Sequence, residues 1–579
     1  MDAAQDTAQD TATSARSHAR VGLLGNPSDL YGGAGLGFAI AEFGATARVV
    51  ERAPVSNRAA PLLEATWRTL RPHVGASASR GAPPLAIESN VPFQSGLAGS
   101  SAIVVAAIRA WAAHLGWRLS RSRFAEIAWR VEQETLGVRA GPLDRLVQAH
   151  EGLIAMEFAT PWTTDAVRRL DPASLPPMLL AISNDGGGRA SGDVHAPIFE
   201  RWRNGDPAVA AMVEGLAENA RRGIAALEQG DRDAFLVCID RNLDLRGTVF
   251  EIDEVDRELI QLGRSLGAAA KLPGSGGAVL LACRDEGGLT RVESACASAG
   301  ISTVRPTVQP PVPRVRAVLL AAGFGTRLGA IAQRCAKPLL EISGEPLMTR
   351  VLRQAIAGGA TDGVVVTNRR FHADFLRWRD AVGSDLPLEI VDDGATSNET
   401  RLGAVRDLAL ALREGTARLG DEDVDAYLVL GCDNLFEFDL RRMVDRFAAS
   451  GCGQLLVRRV PTPVPSAKYS EVVLAENGRR VARFREKPAD PQSDLSAIAA
   501  YLLPADLPTL VQRHLDDGGP SDAPGHFIAG LVEAGLVEAR PVEAHLLDGA
   551  FFDIGTPEDL ERARRDLGHG GRDDGQPSR

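Results

Sequence analysis

"VRAVLLAAGFGTRLGAIAQRCAKPLL", Val315 to Leu340, is the stretch that decides how this 579-residue chain folds. It begins as a largely apolar run, the mark of a strand buried on both faces, and breaks at Gly323 and Gly325. Just upstream, "RPTVQPPVPR" (Arg305–Arg314) crowds prolines together, and such a segment cannot continue a helix and reads as a semi-rigid linker. A new α/β domain is therefore expected from residue 314, behind a linker over residues 305–313. A strand running into Gly-x-Gly is also how a dinucleotide-binding unit begins. That unit, however, needs a third glycine at fixed spacing and an acid closing its second strand. Here the loop is followed by the cations Arg327, Arg334 and Lys337, and the next strand, "GVVVTNRR", ends without an acid. A basic glycine loop suits the β and γ phosphates of a nucleoside triphosphate, where the leaving pyrophosphate carries most of the charge.

A second glycine-rich turn lies far upstream, in "VPFQSGLAGSSAIVVAA" (Val91–Ala107). It lacks the lysine of a Walker loop. Its glycines let backbone approach a phosphate, and the apolar helix that follows offers unpaired N–H groups and the positive end of its dipole. The serines can add hydrogen bonds or a magnesium ligand. Taken alone, the same letters describe a capped helix with small residues for packing. Three further pieces accompany it. "RVGLLGNPSDLYGG" (Arg20–Gly33) is an apolar run breaking into a turn. "AWRVEQETLGVRAGPLDRLVQ" (Ala128–Gln148) carries Glu132 on an amphipathic helix and Asp144 after a Gly-Pro turn. "AAKLPGSGGAVLLAC" (Ala269–Cys283) sets Gly274, Ser275, Gly276 and Gly277 where a tight turn or a close backbone contact is expected.

The bulk numbers set the outer limits. A chain of this length is expected to form two or three domains. A net charge of -11 argues against a nucleic-acid binder, which needs basic surface, but leaves nucleotides open as substrates. The six cysteines form no CxxC pair and no zinc-like spacing, so they read as reduced and packed. No apolar run reaches membrane length and the N-terminus has no signal-peptide core, so the expected compartment is the cytoplasm, with no membrane partner. Nothing in the sequence fixes the oligomeric state. Only four of the basic residues are lysines, Lys271, Lys337, Lys468 and Lys487, and where arginine is the default cation a lysine marks a place suited to a compact ammonium.

Loop, carboxylate pair and late glycine turn together resemble the GHMP kinase family, which phosphorylates sugars, mevalonate and homoserine with ATP. The "GNPSDLYGG" turn and the "GLAGSSAI" loop, one residue longer than the usual "GLGSSA", are most similar to the glucuronokinase branch. The resemblance implies a two-lobed α+β domain over residues 18–304, while the polar, aperiodic tails at 1–17 and 568–579 are expected to be disordered. It places Gly96, Gly99, Ser100, Ser101, Gly274, Ser275 and Gly276 at ATP, with Ser101 and Glu132 as ligands of Mg2+. Asp144 would contact the sugar hydroxyl as base or orient it, Arg20 would be the cation beside it, and Asp29 would bind sugar hydroxyls.

In the other half, "AYLVLGCDN" puts Asp433 past a buried strand and "GAFFDIGTPEDL" puts Asp553 before a helix, positions where open α/β sheets hold magnesium but also ordinary turn or cap positions. With "AAGFGTRL…KPLL" and "REKP" in the same order, residues 314–567 resemble the sugar-1-phosphate nucleotidyltransferases. That resemblance implies a Rossmann-like α/β/α domain. Ala322, Gly323, Gly325, Thr326, Arg327 and Lys337 would bind the NTP, Arg327 and Lys337 catalytically. Asp433 and Asp553 would hold Mg2+, and Lys487 would bind the sugar-1-phosphate. The segment "DDGATSNETRLGAV" is similar to cytidylyltransferase-like members, which leaves UTP, GTP and CTP all open. The two halves would run consecutive reactions of sugar salvage: ATP-dependent formation of a sugar-1-phosphate, from a uronic acid such as glucuronate, then nucleotidyl transfer to give a nucleotide sugar. Another sugar, fucose- or heptose-like, with GTP or CTP, or a non-catalytic role for one half, are the alternatives.

Overall fold

The computed structural model describes residues 13–52, 59–73, 81–115, 117, 119–163, 166–182, 191–384, 386–419, 424–460, 464–476, 478–537 and 541–568. The chain forms two compact units, Met1–Pro311 and Val312–Arg579.

The N-terminal unit holds two antiparallel sheets. In the first, strand Ala34–Val49 pairs with Ser14–Leu24, Leu85–Ser89 and Leu153–Glu157, and Val167–Leu170 completes the sheet. Helix Gly99–Leu115 is apolar nearly all round, which suits a buried helix, and it packs Val104, Val105, Ile108 and Trp111 with Ala45 and Ala47. The second sheet runs Ala269–Lys271, Ala278–Ala282, Met178–Ile182, Ser302–Val304, its strands too short and apolar to stand without the helices Glu254–Ser265 and Glu286–Ser298 packed on it.

Three sequence expectations fail, two of them in this unit. The tail expected to be disordered through residue 17 is already strand from Ser14, paired in register with Ala45–Arg48. Its period-2 alternation was masked by polar letters: Ser17 points inward and is fully buried while Arg16 is exposed. Residues 1–12 and 569–579 lie outside the described residues, and Gly568, assigned to the C-terminal tail, closes the helix Pro557–Gly568. The proline-rich segment does not behave as a linker over its first half. Thr307, Val308 and Gln309 run antiparallel to Ala34–Val49, with Ala41 N–H donating to Thr307 O at 2.9 Å and Gln309 N–H to Ala39 O at 2.8 Å. Gly152 N–H donates to Gln309 O at 2.9 Å. Prolines forbid helix but not an edge pairing that uses only the N–H groups of the residues between them.

The C-terminal unit is built on a nine-stranded mixed sheet. Leu388–Asp392, Ala360–Thr367, Val315–Leu320 and Ala426–Gly431 lie parallel; Leu495–Pro504 follows antiparallel, then Gly453–Arg459 and Val542–Leu546. Alternate residues feed opposite cores: Ala317, Leu319, Leu428 and Leu430 on one face, Val318, Tyr427 and Val429 on the other. Helices cover both faces, which is why these strands read as continuous apolar runs rather than alternating ones. The one charge in the opening strand, Arg316, is buried and donates from Nε to Asp362 Oδ1 at 2.5 Å on the neighbouring strand.

Candidate active sites

In the N-terminal unit the strand Ser14–Leu24 gathers both glycine loops. Arg20 N–H donates to Leu97 O at 3.1 Å and Gly22 N–H to Pro273 O at 3.2 Å. The loops also meet each other backbone to backbone: a methyl group at Gly274 would lie 2.0 Å from Gly96 O, and one at Gly277 would lie 2.2 Å from Gln94 O. No side chain fits there, which accounts for the glycines. Lys271, beside the late turn, is buried and donates from Nζ to Gly22 O at 2.8 Å and to Asn26 Oδ1 at 2.6 Å. Burial, then Arg246 and Arg20, push its ammonium well below the ordinary lysine range. It ties two turns together.

Arg20 joins the loop to the acid. Its Nε donates to Asp144 Oδ1 at 2.6 Å and its Nη1 to Gly96 O at 2.5 Å. Asp144 sits in the first turn of helix Leu143–His150, and Pro142 just before it occupies a position where a missing N–H costs nothing. Burial alone would raise the Asp144 carboxyl, but Arg20 and then Arg145 outweigh it and hold it below the usual carboxylate value. Asp29 goes the other way. Burial, then the charge of Asp144, push it up to about 6. Leu143 N–H donates to Asp29 Oδ2 at 3.2 Å, and the facing residue is Gly141, where a methyl group would stand 1.9 Å from that oxygen. Arg20, Asp29, Asp144, Gly96, Gly274 and Ser275 all line one cavity of about 90 Å³.

Ser101 and Glu132 are brought together next to the start of helix Gly99–Leu115. Ser101 Oγ donates to Glu132 Oε1 at 2.9 Å, and Arg145 holds the other carboxylate oxygen. All three side chains are buried, whereas Ser100 is exposed. Glu132 lies in a wide turn, Val131–Thr135, rather than on a plain α-helix. Two hard oxygens side by side, with the remaining ligands left to phosphate and water, fit Mg2+.

Sequence reasoning passed over four residues here. Arg145 follows Asp144 directly and its neighbour on the same face, Gln148, donates from Nε2 to Ala98 O at 3.0 Å, so both were within reach of a helical reading. His195 and Arg246 also line the cavity, on helices Ser191–Arg203 and Arg232–Gly247 that carry no motif. Burial, then Arg246, hold the His195 imidazole down to about 3, so it is neutral.

In the C-terminal unit, Ala322, Gly323, Gly325, Thr326, Arg327 and Lys337 line a cavity of about 430 Å³ together with Asp433. Gly325 takes a left-handed φ of 60°, the conformation that lets the chain turn from strand Val315–Leu320 into the basic turn Thr326–Leu328. Lys337 Nζ lies 3.2 Å from Asp433 Oδ2. A short antiparallel pairing of Asn434–Phe436 with Phe551–Asp553 sets Asn434 opposite Asp553, so the two acids become neighbours. Burial, then Asp433, raise the Asp553 carboxyl, only partly offset by Lys337 and Arg327. Neighbouring carboxyls whose repulsion a divalent cation would relieve fit Mg2+. Lys487 departs from expectation: it is 54% exposed, lies 3.7 Å from Glu486, and is not among the residues lining this cavity. Its φ of 44° turns the chain sharply there, which sequence spacing does not reveal.

Comparison with known proteins agrees with this division. Models of the GHMP kinases N terminal domain and GHMP kinases C terminal match residues 61–152 and 224–302, and that of Nucleotidyl transferase matches residues 316–569. Over 307 residues the chain is 30% identical to "Probable glucuronokinase 2" of Arabidopsis thaliana, covering 46% of this chain and 83% of that one. The chain belongs to the GHMP kinases, fused to a nucleotidyl transferase. "Glucuronokinase 1" of the same plant is 28% identical over 327 residues, 50% of this chain and 90% of the relative. The other half of this GHMP kinase fusion is 28% identical over 248 residues to "Probable mannose-1-phosphate guanylyltransferase 2" of Arabidopsis thaliana, 42% of this chain and 63% of that protein. The fusion is thus a bifunctional enzyme, a sugar kinase followed by a nucleotidyltransferase. Among the described residues no helix is long and apolar enough to cross a membrane.

Proposed function

We propose that the N-terminal unit phosphorylates a free uronic acid, such as glucuronate, at its anomeric hydroxyl with ATP. The C-terminal unit then uses the resulting sugar-1-phosphate and a nucleoside triphosphate to make a nucleotide sugar and pyrophosphate. The observation that carries this reading is the single guanidinium of Arg20, which holds Asp144 at 2.6 Å and the phosphate loop at Gly96 at 2.5 Å. A hydroxyl on Asp144 and a phosphate on the Gly96 loop would thereby be fixed relative to each other, and phosphoryl transfer depends mainly on such positioning. The similarity to glucuronokinases supports the choice of sugar.

In the first reaction Asp144, kept ionised by Arg20, orients the sugar hydroxyl and accepts its proton as the new O–P bond forms and the bond to ADP breaks. Asp29 accepts hydrogen bonds from other sugar hydroxyls. Ser101 and Glu132 would hold Mg2+, which supplies charge neutralisation on the ATP phosphates. In the second reaction Arg327 and Lys337 take the β and γ phosphates, and a sugar-phosphate oxygen displaces pyrophosphate at the α phosphorus. Asp433 and Asp553 would hold the Mg2+ that lets two anions approach each other. Lys487 would reach the sugar phosphate only with a change in its exposed loop. The test is a panel of free sugars with ATP, followed by each NTP, with products read by mass spectrometry. A uronic acid 1-phosphate and its nucleotide sugar are expected; a panel in which only neutral sugars react overturns the reading.

A further inference from the structure

Asp407 has no part in the two reactions as derived above, yet it stands in the second cavity with a hydrogen bond unmade. It lies in the first turn of helix Ala404–Leu419 and lines the same cavity as Gly323, Arg327 and Lys337. The residue is 8% exposed, and its Oδ1 is buried without a hydrogen-bond partner. The neighbouring acid, Asp393, spends Oδ1 on Ala395 N–H at 2.7 Å, and its Oδ2 is likewise buried and unpartnered. Burial first, and then the charge of Asp393, push the Asp407 carboxyl up to about 7. Among the described residues no cation pairs with it: the arginine lining this part of the cavity, Arg401, pairs with Asp522 at 3.8 Å. A buried acceptor left unmet is costly, and native structures rarely keep one without a purpose.

The charges of the cavity indicate what brings the missing donor. Triphosphate is drawn to Arg327 and Lys337 and repelled by the carboxyls of Asp393 and Asp407. The uncharged, N–H-bearing part of a nucleotide is its base. The same cavity has walls that suit a flat ring, since Ala321, Ala322, Gly403 and Ala404 offer almost no side chain. Gly403 is held in that form by its φ of +94° and by Ser521 O, 2.6 Å from where a methyl group would sit. Small apolar walls with a few placed polar groups are the usual form of a site that reads a ring.

We propose that Asp407 is the specificity-determining residue for the nucleobase of the second reaction, its carboxyl accepting an N–H from the hydrogen-bonding edge of the base. This rests on the reading of that unit as a nucleotidyltransferase. The test uses the full-length protein and its Asp407→Asn and Asp407→Leu variants. Pyrophosphate release is measured with ATP, GTP, CTP and UTP in turn, on sugar-1-phosphate generated by the kinase half. The leucine variant keeps the volume and removes both oxygens; the asparagine variant keeps the shape and turns one acceptor into a donor. The ratio of kcat/KM between the preferred NTP and the next is expected to fall at least ~10-fold in the leucine variant, through KM for the NTP. The asparagine variant is expected to change the order of preference, and it carries the test alone if the leucine variant does not fold. Kinase turnover should not change in either. Equal loss with all four NTPs, the result expected if Asp407 held a metal ion or phosphate instead, overturns the proposal, as do unchanged ratios. A wild-type protein inactive with every NTP removes the nucleotidyltransferase reading as well, whereas activity with unchanged ratios removes this proposal alone.

Discussion

Cutting the chain at two points seven residues apart separates a linker from a piece of the first domain. A fragment ending at Val304 loses the segment in which Ala41 and Gly152 donate to Thr307 and Gln309, and Gln309 donates to Ala39. A fragment ending at Pro311 keeps it. Three main-chain bonds at about 1 kcal/mol each come to roughly 3 kcal/mol, before counting Val308, which packs against the core beneath. The Arg305 pairs with Glu286 and Glu293 are exposed and add little. For a domain of this size the shorter fragment should melt roughly 5–10 °C below the longer one. Its phosphorylation of the sugar should fade as temperature approaches that lower midpoint, because the strand left bare also carries Ala39 beside the Arg20 pairing. Scanning calorimetry and a coupled ADP assay on both fragments measure this. Equal midpoints would show that the segment is a linker after all, and that the pairing with Ala34–Val49 contributes nothing.

Asp144→Asn should lower sugar phosphorylation about 10²–10⁴-fold while nucleotidyl transfer from supplied sugar-1-phosphate stays near wild type; retained kinase activity would move the orienting group elsewhere. Asp29, with its carboxyl at about 6, should give the kinase an acid limb near that pH, as protonation turns one acceptor oxygen into a donor and removes the charge; Asp29→Asn should flatten the limb as well as lower the rate. Because that value lies above the ordinary 3.8, the folded state favours neutral Asp29. Its stabilising effect is complete below about 4 and lost as pH rises through 6, so Asp29→Asn should raise the melting temperature at pH 7.5 and not at pH 4. Asp433→Asn or Asp553→Asn should cut nucleotide-sugar formation by ~10²-fold or more and spare the kinase, whereas EDTA should stop both reactions and added Mg2+ restore them. Rapid transfer by either variant in metal-free buffer would refute the shared metal.

How far the sequence reaches depends on the kind of contact a residue makes. The strand from Val315 into Gly323 and Gly325 was legible because burial on two faces and a turn each leave a local signature. The same holds for the loop of Gly96 to Ser101, where one segment supplies both the glycines and the helix. The acids Glu132, Asp144, Asp433 and Asp553 could be named from their surroundings and, through the family resemblance, paired with Ser101, Arg20 and each other, but the further neighbours of each could not be read. Tertiary structure alone sets Arg145 on Glu132 and ties Arg20, expected beside Asp144, to Gly96 as well. It alone splits Asp29 from Asp144, one carboxyl raised and the other lowered by burial weighed against neighbours distant in sequence. His195, Arg246 and Asp407 left no local trace, since a buried polar group on a helix is spelled like an exposed one. The extended segment at Thr307–Gln309 misled for the converse reason: proline excludes a helix wherever it stands, and only the presence of an unpaired strand beside it turns a linker into an edge. Sequence fixes what a chain segment can do by itself, and the fold decides which of those capacities meet, because desolvation and charge act through space rather than along the chain.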